Sequence, residues 1–202
     1  MKLSDKQKRV ITRFMQASLF AILAAGLYLG SSKAVVNSSL GLIVTFAPAV
    51  IERRYDIVAS PFLALWITSA VFFHALGSFG LYGSLWWWDH LTHALSASIV
   101  AGIGYTFIRS VDIYSEDIYL PQRFMFVFIL LTILAFGVTW EIFEYGLDVL
   151  ADMTGVSMPL SQHGLEDSMK DMMFNAFGAL ITAVFAQVHL SDLAEEWVEK
   201  YI

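Results

Sequence analysis

Residues 123–145 read RFMFVFILLTILAFGVTWEIFEY, and this stretch decides the fold. Seventeen residues without a charge separate Arg123 from Glu141. A hydrocarbon core about 30 Å thick takes about 20 apolar helical residues, each rising about 1.5 Å. Lipid offers backbone N–H and C=O groups no partner, so an apolar run of this length has to satisfy them within a helix. Outward from this stretch the same pattern recurs at Ile11–Gly30, Val35–Ile51, Ser60–Tyr82, Asp89–Ile108 and Asp171–His189. The expectation is an all-α, polytopic membrane bundle of about six transmembrane helices forming a single integral membrane domain over residues 1–202. Residues 190–202, opening at Ser191, are expected to form a short helix on the cytoplasmic surface, with Trp197 and Val198 on its apolar side.

Composition agrees with that reading. The 202 residues are 57% hydrophobic and only 15% charged, and the mean hydropathy is +0.64, far above that of a soluble domain. A net charge of −6 and the lack of a basic stripe interleaved with aromatics exclude a nucleic-acid partner. The lipid bilayer is the expected surrounding. Cysteine is absent, which removes disulfides, thiolate metal ligands and a cysteine nucleophile. The basic residues ahead of the first run, Lys2 to Arg13, imitate a signal peptide, but the run exceeds a typical signal core and is expected to be a retained span.

Positive charge sets the orientation. With both termini cytoplasmic, ten of the twelve Lys and Arg residues fall inside, leaving Lys33 and Lys170 outside. Trp86, Trp87 and Trp88 then sit at the outer end of the third span, where they are expected to anchor the interface. Gly26, Gly30, Gly77, Gly80, Gly102, Gly104 and Gly178 are expected to let helices approach closely.

This topology gathers the acids and histidines on one side. Asp89 and His93 open one span, Glu141, Glu144 and Asp148 close the next, and Asp167, Asp171 and Asn175 lead into the last. Spacings of three, four or seven residues put each group on one helix face. An ionisable group costs roughly 2.5–3.5 kcal/mol at a helix centre, so a set of this size has a use. Without cysteine, oxygen and imidazole donors suit a divalent Zn, Mn, Fe or Mg ion. The candidate ligands are Asp89, His93, Glu141, Glu144, Asp167 and Asp171. Glu141 and Glu144 are also the candidate catalytic groups, as ligand or general base. His74, Asp148, Gln162, His163 and Asn175 are candidates for orienting the ligands, and the loop around Gln162 and His163 is a candidate lid. Plainer roles stay open: an interhelical hydrogen bond for His74 or Asn175, and dipole or cap partners for Asp89 and Asp167.

The segments WDHLTHALSASIVAG, WEIFEYGLDVL and QHGLEDSMKDMMFNAFGAL, within residues 88–180, resemble the bacterial YjdF-like inner-membrane family. They are similar, more distantly, to the VanZ-like group linked with glycopeptide resistance. The resemblance implies functional weight for Asp89, His93, Glu141, Glu144, Gln162, Gly164, Asp167, Asp171 and Gly178, and names no reaction. The readings that follow are a metal-dependent hydrolase or transferase acting on a lipid-linked or envelope substrate, a non-catalytic scaffold or resistance factor, and a proton or cation transporter.

Overall fold

A computed structural model describes residues 3–55, 60–155 and 164–201, and among these every regular element is helical. The helices are α1 (Asp5–Leu29), α2 (Ser32–Thr45), α3 (Ala47–Tyr55), α4 (Pro61–Leu76), α5 (Tyr82–Ser84), α6 (Trp88–Tyr114), α7 (Gln122–Thr154), α8 (Leu165–His189) and α9 (Ser191–Tyr201). Five stretches are long and apolar enough to cross a membrane: Asp5–Leu29, Ser32–Arg54, Pro61–Ser84, Trp88–Tyr114 and Gln122–Thr154. The sixth expected span lies within α8, whose side chains at 186–189 fall outside the described residues. Among the described residues the chain forms two compact units, 3–92 with 148–155, and 93–147 with 164–201.

In the first unit α1, α2 and α4 pack on one another around Leu19, Ile22, Ala34, Leu42 and Ala75. Gly26 permits the approach of α2, since a Cβ there would lie 3.0 Å from that of Ala34. The helix starts are written in short polar residues: Ser4 and Gln7 make a reciprocal capping box, Ser31 caps α2, and Ser60 caps α4 ahead of Pro61. The weak second span is interrupted, because α2 ends at Thr45 and Pro48, which has no N–H to give, falls in the first turn of α3. Gly30 and Gly80 correct the packing expectation. A Cβ on either would meet nothing, and what each supplies is a positive φ, 67° and 138°. Trp88 is also corrected, being 7% exposed with its indole N–H donated to the Phe73 carbonyl at 3.0 Å, so it packs inside while Trp86 is exposed.

In the second unit α6 and α8 run parallel. The Thr182 hydroxyl donates to the Ser98 carbonyl at 3.1 Å, and four residues earlier on each helix Gly178 faces Ala94. A Cβ on Gly178 would fall onto the Ala94 carbonyl, so the two backbones touch directly. Helix α7 runs against them: Thr132 lies beside Gly104 and Gly137 beside Asn175, which itself touches His93. Advancing along α7 therefore means retreating along α6 and α8. Helix α9 joins this unit through the buried Leu190 and Ala194. Arg109 pairs with Asp112 and reaches Glu195 at 4.0 Å, and Asp112 accepts the Leu120 N–H at 2.7 Å, bracing the loop into α7.

Helices α6, α7 and α8 all exceed their expected spans. Helix α7 has 33 residues, about 50 Å at about 1.5 Å each, against a core of about 30 Å. The sequence marks where hydrophobicity stops, whereas the helix continues through polar residues that lack a breaker.

The Ala94–Gly178 contact yields a paired prediction. Gly178→Ala should lower stability in detergent by about 1–3 kcal/mol, the range for overpacking. Gly146→Ala, where a Cβ meets open space, should leave the thermal midpoint unchanged or slightly raised. A thermal unfolding series checks both.

Candidate functional site

Helix α7 turns one row of side chains inward: Met125, Ile129, Ile133, Gly137 and Glu141, each four residues from the last. Four apolar members are followed by a carboxylate. Glu141 is 9% exposed, and its buried Oε1 accepts no hydrogen bond among the described residues. A buried polar atom in that state costs about 1–3 kcal/mol and calls for an explanation.

Helix α8 buries Ser168, Asp171, Asn175, Ala179 and Thr182 along one face. Helix α6 brings His93 against the upper part of that face. The His93 Nδ1 lies 3.3 Å from Asn175 Oδ1, and its Nε2 lies 3.5 Å from Asp171 Oδ1. Since Asn175 Oδ1 only accepts, the ring must donate through Nδ1–H, which in the neutral imidazole leaves the lone pair on Nε2. Nε2 and the Asp171 carboxylate oxygen thus face one another.

The position of Glu141 relative to this pair follows from the helix directions. Gly137 abuts Asn175 and Met172, and one turn further along α7 corresponds to one turn back along the antiparallel α8. That step moves from Gly137 to Glu141 and from Asn175 to Asp171. Glu141 and Asp171 therefore lie in corresponding turns of α7 and α8, but Glu141 does not close into a three-donor group with Asp171 and His93 among the described residues.

The other expected site residues fall elsewhere or carry less. Glu144 is half-buried and off the inward row of α7, and Asp167 is half-buried in the first turn of α8. Glu166 beside it is exposed and bonded to Lys170 at 2.7 Å; that ammonium holds the Glu166 carboxyl below its usual range, and Glu166 in turn pushes the Lys170 amine up. Asp89, in the first turn of α6, belongs to the first unit with His74 and Asp148. His90 stacks edge-on with Trp86. Gln162 and His163 lie outside the described residues. Tyr82 and Thr92 were not expected at all, yet the Tyr82 hydroxyl lies 2.6 Å from His74 Nδ1 and 3.2 Å from Thr92 Oγ1. What joins them to His74 is the kink at Gly80, and no sequence signal marks that fold-back.

Helices of this length and apolarity, with carboxylates buried and imidazoles half-buried among them, define a multi-pass, all-helical membrane protein. The chain belongs to the family described as predicted membrane protein (DUF2238), which it matches over residues 11–192. No curated protein and no solved structure matches the chain.

Glu141 makes a direct test of strain at this level. Glu141→Leu removes the unpartnered carboxylate and should raise the unfolding free energy of metal-free protein by about 1–3 kcal/mol. Denaturation in detergent with chelator present reads this out, and a destabilised variant would mean that the carboxylate is already satisfied.

Proposed function

We propose that this is a metal-dependent membrane enzyme in which His93, Asp171 and Glu141 hold a divalent cation, with Asn175 orienting the imidazole. The observation that carries the reading is His93, donating through Nδ1 to Asn175 while Nε2 faces Asp171 at 3.5 Å. That separation is long for an N–H···O hydrogen bond, which prefers about 2.7–3.2 Å. It suits two ligand atoms on one tetrahedral ion: bonds of about 2.0–2.1 Å put them about 3.4 Å apart. Glu141, whose Oε1 is buried on the adjacent α7 with no hydrogen-bond partner among the described residues, is the proposed third donor. Carboxylates and imidazole together fit Zn, Mn or Fe, with Mg the oxygen-preferring alternative.

Such an ion, when bound, supplies a Lewis acid and lowers the pKa of a coordinated water. The residues then divide the work. His93 and Asp171 bind, Asn175 fixes the tautomer, and Glu141 or the half-buried Glu144 ligates or takes the proton. The reaction class is hydrolysis, or phosphoryl or acyl transfer, on a lipid-linked or envelope substrate, since a site among apolar helices is reached by amphiphiles. We place the chain beside the YjdF-like members of its family on the segments quoted above. The charge asymmetry supports cytoplasmic termini and an extracytoplasmic site.

Elemental analysis of protein purified in mild detergent without chelator tests the metal. Near-stoichiometric Zn, Mn or Fe is expected, lost in a His93→Ala and Glu141→Gln double variant and held about 10–100-fold more weakly in Asn175→Ala. Metal retained in full by the double variant, with unchanged lipid profiles in cells, overturns the assignment. The cysteine-free chain also permits a clean test of sidedness. In intact cells a membrane-impermeant maleimide should label Ser84→Cys and leave Glu116→Cys unlabelled; the reverse pattern would invert the topology.

A further inference from the structure

One glycine interrupts the inward row of α7. Met125, Ile129, Ile133 and Glu141 each bury a side chain there, while Gly137, between Ile133 and Glu141, has none to bury. Glycine is the poorest helix former after proline, so its place inside a 33-residue helix has to be explained by what it packs against. The other glycine of α7, Gly146, packs against nothing within 4 Å of an added Cβ. Gly137 is the opposite case. A Cβ on it would lie 2.7 Å from Met172 Sδ, 3.2 Å from Met172 Cε and 3.0 Å from Asn175 Nδ2.

The two neighbours differ in how they could yield to such an atom. Met172 ends in a flexible thioether that can swing aside. The Asn175 carboxamide is short, belongs to a residue only 7% exposed, and is engaged at its far end, where Oδ1 lies 3.3 Å from His93 Nδ1. Its nitrogen rests against α7 and its oxygen meets α6, so one planar group from α8 spans three helices. The amide turns as a unit about a single torsion, so displacing Nδ2 by a few tenths of an ångström displaces Oδ1 as well.

From this we infer that Gly137 is a positioning residue of the candidate metal site, which by leaving out a side chain seats the Asn175 amide and, through it, the His93 ring. A ring turned away from its place aims its other nitrogen away from the ion, so the loss is felt as weaker metal binding. That consequence rests on the metal reading above; the seating concerns only Gly137, Asn175 and His93.

The test is a double-mutant cycle on full-length protein in detergent, made in a Met172→Ala background, which removes both methionine contacts and leaves the amide as the nearest obstacle. Adding Gly137→Ala should weaken zinc binding about 10-fold in a competition titration, and should weaken it no further when Asn175→Ala is already present. Gly104→Ala, whose Cβ would lie 3.4 Å from Thr132 in the same unit, should leave zinc affinity unchanged. In metal-free protein the ¹⁵N NMR signals of His93, assigned with a His93→Gln variant, should move with Gly137→Ala and stay with Gly104→Ala. An equal loss of affinity with and without Asn175 overturns the inference, as do unmoved His93 signals or a Gly137→Ala chain that fails to fold in this background. Wild-type protein that binds no zinc, manganese or iron overturns the metal reading instead, and the His93 signals then decide the role of Gly137 alone.

Discussion

The second unit depends on the contact of two backbones, α6 at Ala94 and α8 at Gly178. Apolar surface brings helices together only weakly in lipid, where the surroundings are as apolar as the side chains, so close van der Waals packing and interhelical hydrogen bonds carry the association. With no side chain at Gly178, the Thr182 hydroxyl can reach across to the Ser98 carbonyl. The same parallel register, one turn higher, sets His93 over Asp171 and Asn175. A larger residue at 178 would separate both pairs at once, so packing and site share one cause.

The two units handle buried polarity differently. Around His74 the Tyr82 hydroxyl, the Thr92 hydroxyl and the Asp89 carbonyl stand in series at hydrogen-bonding distance, so the polar atoms there meet partners and their cost is offset. Around Glu141 a carboxylate oxygen is buried at the end of an apolar row without a donor among the described residues. An unsatisfied group in a native structure is a place where stability has been given up, and such places concentrate where something binds.

Several features were readable directly. The uncharged run before Glu141 indicated both a membrane helix and a carboxylate at its end, and the i, i+4 spacing put Asp171 and Asn175 on one face. The heights of those residues on their helices follow from fixed rise per residue. The early end of α2, Tyr82 folding back onto Gly77, and the burial of Trp88 were not readable. Gly80 looked like a packing residue in the sequence because glycine serves two opposite purposes, leaving space and permitting positive φ, and one letter cannot distinguish them. Trp88 follows Trp86 and Trp87 in a run that reads as an interfacial belt, yet a carbonyl at Phe73 was in reach of its N–H.

The sequence by itself determined an all-helical membrane chain, the approximate positions of its spans, and which helices carry ionisable groups near their ends. Those properties are local: they depend on hydropathy and on a periodicity that each segment has alone. Tertiary structure decided that His93 meets Asn175 and Asp171, that Glu141 rather than Glu144 turns inward, and that Tyr82 belongs with His74. Each of these depends on a partner from another helix or from beyond a kink, at separations set by backbone contacts such as Ala94 with Gly178, and no spacing within one segment encodes them.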